Sequence, residues 1–171
     1  MNGVIYDVYW EGPFTLAEIT TKNDVINKSH CLYQVYGDHP CYGHDVLLYI
    51  GQTRKGIVQR FAQHNRCFSE ECEEVKVFVG SCGVFTNWVK WGETPEYGVI
   101  DSTLLNAIES LLIYAHQPAY NSREKCQPIF SGYNFRIFNT YRRKALMPEI
   151  STLFYRDDVN SVECDNLPED Y

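Results

Sequence analysis

The sequence predicts an α+β, sandwich-like fold in which a small, mostly antiparallel β-sheet is flanked by helices. Two observations carry this prediction. Short runs rich in β-branched and aromatic residues, such as 31–36 and 46–51, are bounded by glycine and proline, as strands are. Longer runs, 56–65 and 101–116, have apolar residues at helical spacing. The alternation of the two patterns favours one domain over residues 1–171, a length that can bury a sizeable core.

Strands are predicted where β-rich runs are closed by turn residues. They cover residues 4–10, closed by Trp10-Glu11-Gly12-Pro13; the hairpin 31–36 and 46–51, with its loop at 37–43; residues 75–79; and residues 134–138. The stretch 80–97 is expected to be an elaborated connection.

Helices are predicted where apolar residues recur every three to four positions. They cover residues 15–20, 56–65, 101–116 and 141–154, the last interrupted at Pro148. Asp101 is the expected N-cap of the long helix, and Gln117-Pro118 is expected to end it. The acidic stretch 155–171 is expected to be a flexible tail.

Composition places the chain among ordinary globular proteins, with 44% hydrophobic and 22% charged residues. No apolar run approaches the ~20 residues that span a bilayer, so no membrane association is expected. The first residues lack the basic and apolar regions of a secretory signal, and a cytoplasmic location is therefore expected.

Charge is distributed unevenly along the chain, whose net charge is −7. A negative protein binds nucleic acid weakly unless its cations are concentrated on one face. Two groups of cations are candidates for such a face, although solvated surface charge is the simpler explanation for either of them alone. They are Arg54, Lys55, Arg60 and Arg66, and Arg136, Arg142, Arg143 and Lys144.

Seven cysteines, an odd number without a CxxC pair, are most simply free thiols in a reducing compartment. One segment also allows a metal hypothesis, because His30, Cys31, His39, Cys41 and His44 lie close together in the sequence. Their spacing matches no standard zinc pattern. A structural zinc ion and a polar turn between two strands are therefore both open at this point.

A set of chemically capable residues lies on the predicted hairpin and helices. Tyr33 and Tyr49 can reach one face if their strands pair, because side chains alternate along a strand. Arg60 and His64 are four residues apart and project together from a helix. Glu109 lies at the edge of an apolar helix face, where a carboxylate needs a partner. Each of these residues taken singly is more simply explained by packing or solvation.

Taken in order, these residues resemble the GIY-YIG family of endonucleases over about residues 31–122. Cys31-Leu32-Tyr33 occupies the position of the first motif and keeps only its tyrosine, whereas Tyr49-Ile50-Gly51 matches the second motif in full. The helical Arg and His of the family are matched by Arg60-Phe61-Ala62-Gln63-His64. Its later Glu and terminal Asn are matched by Glu109 and, after Pro118, by Asn121.

The resemblance implies a metal-dependent endonuclease that hydrolyses DNA phosphodiester bonds. Glu109 would hold Mg²⁺ or Mn²⁺, and Arg60 would neutralise charge on the phosphate. Tyr33, with Tyr49 beside it, would position or activate the attacking water as a phenolate favoured by Mg²⁺ and Arg60, with His64 as the competing base.

Four further residues are expected to contact substrate; they are Gly51, Arg54, Lys55 and Asn121. Asn121 would orient either a phosphate or the helix end through its side-chain amide. A standalone restriction- or defence-associated nuclease is the favoured setting, and a homodimer would suit a double-strand cutter. Two alternatives remain open. They are a nucleic-acid-binding module without catalytic activity and a zinc-stabilised interaction domain.

Overall fold

The computed structural model describes residues 3–21, 30–61, 75–88, 100–130 and 132–155. Its elements are β1 (Val4–Phe14), α1 (Leu16–Thr21), β2 (Cys31–His39), β3 (Gly43–Thr53), α2 (57–61), β4 (Lys76–Val84), α3 (Ser102–His116), α4 (Arg123–Cys126), β5 (Phe135–Tyr141) and β6 (Glu149–Ser151). They form a mixed α+β fold around one six-stranded sheet, which confirms the predicted fold class.

The sheet has the strand order β3-β2-β4-β1-β5-β6. Every neighbouring pair is antiparallel except β1 and β5, which run parallel. The predicted hairpin is confirmed as β2–β3, and its register places Tyr33 directly opposite Gly51. Because β3 is an edge strand, one row of its backbone groups is available to elements outside the sheet.

Each face of the sheet is covered by a separate apolar cluster. Helix α3 buries residues such as Leu105 and Leu112 on the face that includes Leu32 and Ile50. The opposite face carries Tyr33, and the residues packed around it come mainly from neighbouring strands and from α1 and α2. They are Ile19, Cys31, Val35, Ile57, Phe61, Val75, Val77 and Val79.

Helix α3 begins and ends as the sequence predicts. The Asp101 carboxylate accepts hydrogen bonds from the backbone N–H groups of Thr103, at 2.9 Å, and Leu104, at 3.4 Å. Gln117 adopts the left-handed conformation and donates its backbone N–H to the carbonyl of Ile113 at 2.8 Å. These caps satisfy backbone groups that a helix leaves unpaired at its two ends.

Several predicted boundaries are wrong. Strand β1 continues through the predicted closing turn to Phe14, and two further differences are larger. Residues 141–154 do not form a helix: they make turns around β6, which pairs with β5 through Ile137 and Ile150. Leu146 and Ile150 are four residues apart, as on one face of a helix. Both side chains are buried, but the backbone that carries them is not helical. The expected connection after Gly80 is also shorter, because β4 continues to Val84 by pairing with β1.

The acidic stretch 156–171 lies outside the described residues, so its predicted flexibility stays a prediction. Within the described part of the chain, no helix combines the length and apolarity needed to cross a bilayer.

His116 ties the end of α3 to the loop before β6. Its Nδ1 lies 2.8 Å from the carbonyl oxygen of Leu112, and its Nε2 accepts from the backbone N–H of Met147 at 2.8 Å. The neutral ring with its proton on Nδ1 satisfies both contacts. Burial lowers the pKa of His116, because it disfavours the charged ring. The hydrogen bond to Leu112 raises this pKa but does not outweigh burial.

Acidification is expected to weaken this tie. A histidine whose folded-state pKa is lowered stabilises the fold above its unfolded pKa of about 6.5, and this contribution is lost as the pH falls through the folded value. Urea unfolding is expected to show that the stability advantage of the wild type over His116→Gln falls by about 1 kcal/mol between pH 7.5 and 5. The comparison with His116→Gln cancels the opposite pH dependence that Glu109 contributes, because both proteins retain Glu109. An equal pH dependence in the wild type and His116→Gln would contradict the assignment.

Candidate active site

Three of the predicted residues converge on the sheet face opposite α3. The hydroxyl oxygen of Tyr33 on β2 accepts a hydrogen bond from Nε of Arg60 on α2 at 3.3 Å. The ring of Tyr49 on β3 stacks beside that of Tyr33, with 6.0 Å between ring centroids. Arg60 also hydrogen-bonds to the Tyr49 side chain. Two phenols and one guanidinium therefore form a single polar cluster built from three elements.

Gly51 makes the space in which the two tyrosines meet. A Cβ atom at this position would lie 2.5 Å from the Tyr33 hydroxyl oxygen and 2.7 Å from the Tyr49 ring. Both distances are shorter than carbon contacts allow. Packing against the two tyrosines therefore explains why the Tyr-Ile-Gly motif has a glycine in this chain. The predicted contact of Gly51 with substrate stays a prediction.

Gly51→Ala is expected to displace the two phenols and to destabilise the fold by roughly 1–3 kcal/mol, the usual effect of overpacking. Urea unfolding measures the stability, and tyrosine near-ultraviolet circular dichroism reports the ring environment. Gly43→Ala is the control, because its new Cβ meets nothing within 4 Å and carries only the strain of φ +91°. An unchanged tyrosine spectrum in Gly51→Ala would contradict the packing account.

Both tyrosines are neutral phenols in this site. Burial raises the pKa of Tyr33 above its ordinary value, and this effect outweighs the lowering by the Arg60 hydrogen bond. Burial also raises the pKa of Tyr49, with a further contribution from Glu109. In the metal-free chain Arg60 therefore does not outweigh burial, and the phenolate that Mg²⁺ and Arg60 together would favour stays a prediction. A neutral Tyr33 keeps one O–H donor, and the residue is only 2% exposed.

Glu109 reaches the site from α3, beside Gln52 of β3. Its carboxylate accepts hydrogen bonds from the side chain and the backbone amide of Gln52, the residue that follows Gly51. Burial, together with repulsion from Glu124, raises its pKa to about 7, while the Gln52 bond and the charge of Arg60 act in the opposite direction. A partly buried carboxylate held this way suits a cation ligand or a proton acceptor near neutral pH.

Arg54 and Lys55 lie beside Arg60 around one cavity of about 280 Å³. The other residues that line it are Gln52, Thr53 and Gln59. Nη2 of the Arg54 guanidinium donates a hydrogen bond to Oδ1 of Asn106 on α3 at 3.1 Å, which holds the side chain in place. A small cavity with three cations and two amide side chains is suited to an anion such as a phosphate.

Asn121 has a different role from the predicted contact with substrate. Its Oδ1 accepts from the backbone N–H of Ile50, and its Nδ2 donates to the carbonyl of Ile50, both at 2.9 Å. The side chain is buried, so its amide is committed to the edge of β3. Asn121 fixes the strand that carries Tyr49 and Gly51, and it brings α4 with Glu124 next to the site.

Replacing Asn121 by Ala is expected to lower the free energy of unfolding by roughly 2–4 kcal/mol, because two buried backbone groups of Ile50 lose their partners. Asn121→Asp keeps the acceptor for the Ile50 N–H but places a carboxylate oxygen against the Ile50 carbonyl, so it is also expected to destabilise. Urea unfolding measures both variants. Wild-type stability in Asn121→Ala would show that the Ile50 hydrogen bonds contribute little.

The second group of cations does not form a free basic face. Arg136 pairs with Glu149, and Lys144 pairs with Asp45. Arg142 donates to the carbonyl of Gly12, and Arg143 donates to that of Leu146. These side chains are committed to contacts within the chain, so the cations of the site are mainly those around the 280 Å³ cavity.

Sequence reasoning missed Gln52, Glu124 and Asn106. Gln52 carried the only available signal, because it directly follows Tyr49-Ile50-Gly51. Asn106 accepts from the side-chain amide of Gln52, so it orients the group that binds Glu109. His64, the predicted competing base, lies outside the described residues.

The zinc alternative is not supported by His39 and His44, which both have other partners. Nδ1 of His39 accepts from the backbone N–H groups of Cys41 and Tyr42, at 3.1 and 3.2 Å, so the neutral ring carries its proton on Nε2. Nδ1 of His44 pairs with Asp38 at 2.7 Å, and Cys31 is buried at the start of β2. Across the described ranges, no three His, Cys, Asp or Glu side chains are placed to share a metal ion.

Comparison of the chain with protein-family models, curated proteins and solved structures finds no match. The resemblance to GIY-YIG endonucleases therefore rests on the order and spacing of the motifs in the sequence.

Proposed function

We propose that this chain is a divalent-metal-dependent endonuclease of the GIY-YIG type that hydrolyses DNA phosphodiester bonds. One observation carries the proposal. Tyr33, Tyr49 and Arg60, from three different elements, form one hydrogen-bonded cluster over Gly51, a position that has no room for a side chain. Packing alone does not require a guanidinium between two phenols, whereas phosphoryl transfer requires a fixed cation beside groups that orient water.

Each residue of the cluster and its surroundings would have a separate role in hydrolysis. Arg60 would donate to the non-bridging oxygens of the scissile phosphate, where negative charge develops. Tyr33, as a neutral phenol, would orient the attacking water with its O–H, and Tyr49 would confine that water from the other side. Arg54 and Lys55 would hold a neighbouring phosphate in the adjoining cavity.

Glu109 is the residue that would hold Mg²⁺ or Mn²⁺. The fit rests on oxygen donors: the carboxylate itself, and Oε1 of Gln52, which is buried without a hydrogen-bond partner among the described residues. Mg²⁺ prefers oxygen ligands and keeps several waters, so one carboxylate and one amide oxygen are an adequate protein contribution. When bound, the ion supplies Lewis-acid polarisation of the phosphate.

The proposal extends to the setting of the enzyme. Cys41, Cys82 and Cys126 form no disulfide among the described residues, which supports a reducing, cytoplasmic location. We favour a standalone restriction- or defence-associated role, and a homodimer that pairs two sites for the two DNA strands.

Cleavage of supercoiled plasmid tests the proposal. Purified protein at low salt is incubated with plasmid and Mg²⁺, Mn²⁺ or EDTA. The expected result is nicked and then linear DNA with either metal and intact plasmid with EDTA. Retardation of DNA in a gel without cleavage under any metal would favour the alternative of a binding module.

A further inference from the structure

Asn106 joins two parts of the candidate site through one side-chain oxygen. It lies on α3 one turn before Glu109, so the two side chains project from the same side of the helix. Its Oδ1 accepts a hydrogen bond from Nε2 of Gln52 and another from Nη2 of Arg54, the latter at 3.1 Å. An amide oxygen has two lone pairs, so these two donors use its full accepting capacity.

The first of these bonds fixes the orientation of the Gln52 amide. A side-chain amide has two N–H donors, and the side chain of Gln52 donates both to Asn106 and to the Glu109 carboxylate. Oε1 is then the group of Gln52 that is left to take a ligand, and it is buried without a hydrogen-bond partner among the described residues. A buried acceptor in this state is unfavourable, and a hard cation such as Mg²⁺ would satisfy it.

The second bond fixes Arg54. This residue is exposed, and it lines the cavity of about 280 Å³ together with Lys55 and Arg60. An untethered arginine samples many rotamers in solvent, and ordering it when a ligand binds reduces affinity. The bond to Asn106 engages only one end of the guanidinium, so it orders the side chain and leaves the rest of the planar fork for a phosphate in the cavity.

We propose that Asn106 is a positioning residue that prepares the metal site and the phosphate cavity together. It sets Oε1 of Gln52 as a ligand for the divalent metal held by Glu109, and it holds Arg54 for the phosphate. The inference rests on the proposed nuclease function and adds that the affinities for metal and for phosphate both depend on one side chain. A contact that only fastened α3 to β3 would stabilise the fold without this dependence, and the test separates the two roles.

Binding of Mn²⁺, followed by electron paramagnetic resonance without DNA, tests the role in the metal site. Asn106→Leu keeps the size of the side chain and removes its acceptor oxygen. It is expected to weaken Mn²⁺ binding by roughly 10- to 100-fold, the usual effect of losing the partner that orients a metal ligand. Gln52→Leu is expected to cause a similar loss. Because Asn106 acts through Gln52, the double variant is expected to bind Mn²⁺ no more weakly than Gln52→Leu alone.

Three further variants define this effect. Asn106→Asp keeps an acceptor oxygen in the same place and is expected to bind Mn²⁺ at least as tightly as the wild type. Its added charge is controlled by Thr103→Asp in the Asn106→Leu background, because Thr103 is exposed one turn earlier on α3. That double variant gains a carboxylate without regaining the acceptor, and it is expected to bind Mn²⁺ as weakly as Asn106→Leu. Thr103→Leu is the matched control for the leucine substitution and is expected to bind as the wild type does.

Fluorescence anisotropy with a labelled blunt duplex in EDTA, which prevents cleavage, tests the role in the phosphate cavity. Asn106→Leu is expected to weaken duplex binding by roughly two- to tenfold, as when one long side chain has to be ordered on binding. In the Arg54→Ala background the same substitution is expected to have no further effect. Circular dichroism and urea midpoints check that each variant is folded.

The outcomes separate this inference from the proposed function. Wild-type affinity of Asn106→Leu for Mn²⁺ or for the duplex, or wild-type Mn²⁺ affinity in Gln52→Leu, would overturn the inference and leave a metal-dependent nuclease intact. Additive losses in the double variants, or an equal loss in Thr103→Leu, would assign Asn106 a structural role and also overturn it. Absence of Mn²⁺ binding and of plasmid cleavage in the wild type would overturn both the inference and the proposed function.

Discussion

Arg60→Ala is expected to reduce the rate of plasmid nicking by roughly 10²–10³-fold, the usual consequence of removing one fixed donor to a developing anion. Arg60 is held by Tyr33 at 3.3 Å and by Tyr49, so its position is fixed before substrate arrives. The rate constant is measured under single-turnover conditions with saturating Mg²⁺. Arg60→Lys keeps the charge but lacks the planar fork of donors, and it is expected to recover only part of the activity.

Lys76→Ala is the matched control for Arg60→Ala. It also removes one positive charge, but Lys76 pairs with Asp45 and has no contact with the tyrosine cluster among those described. We expect its nicking rate to stay within about twofold of wild type, because surface ion pairs have little effect. Equal losses in Lys76→Ala and Arg60→Ala would show that net charge, and not the position of Arg60, determines the rate.

Glu109→Gln is expected to abolish both cleavage and tight binding of divalent metal. Gln has nearly the shape of Glu but cannot supply the negative charge that retains Mg²⁺ or Mn²⁺. Binding of Mn²⁺, followed by electron paramagnetic resonance without DNA, measures the metal site independently of activity. Asp38→Asn removes a carboxylate from the β2–β3 turn and is expected to bind Mn²⁺ as the wild type does. Full Mn²⁺ binding by Glu109→Gln would refute this assignment.

Metal binding by Glu109 is also expected to depend on pH. The pKa of Glu109 is raised from 4.5 to about 7, so metal has to displace a proton below that value. Mn²⁺ affinity is expected to increase about tenfold per pH unit up to pH 7 and then to level off. A raised folded-state pKa stabilises the metal-free fold below pH 4.5, and this contribution is lost as the pH rises to about 7. Glu109→Gln is expected to remove that stability dependence.

Local sequence patterns predicted much of the fold and of the candidate site. The β2–β3 hairpin follows from β-rich runs around a glycine- and proline-containing loop, and α3 follows from its apolar period and the Asp101 cap. These signals lie within a few residues of one another. Tyr33, Tyr49, Arg60 and Glu109 could be selected because their order on these elements resembles a known family.

Contacts between distant parts of the chain could not be predicted in this way. The spacing of apolar residues over 141–154 indicates a helix when it is considered alone. Strand β6 forms there instead because it pairs with β5. The Asn121 amide holds Ile50 across 71 residues, and Asn106 orients Gln52 across 54 residues. Likewise, repulsion between Glu109 and Glu124 depends on where α4 lies after the chain has folded.

Single-turnover nicking of supercoiled plasmid by four proteins in parallel is the most direct test of the nuclease proposal: wild type, Arg60→Ala, Glu109→Gln and Lys76→Ala. The proposal predicts Mg²⁺-dependent nicking by the wild type and Lys76→Ala, and loss of nicking in the other two. Nicking that persists in both Arg60→Ala and Glu109→Gln would contradict it, because these two residues would then have no part in hydrolysis.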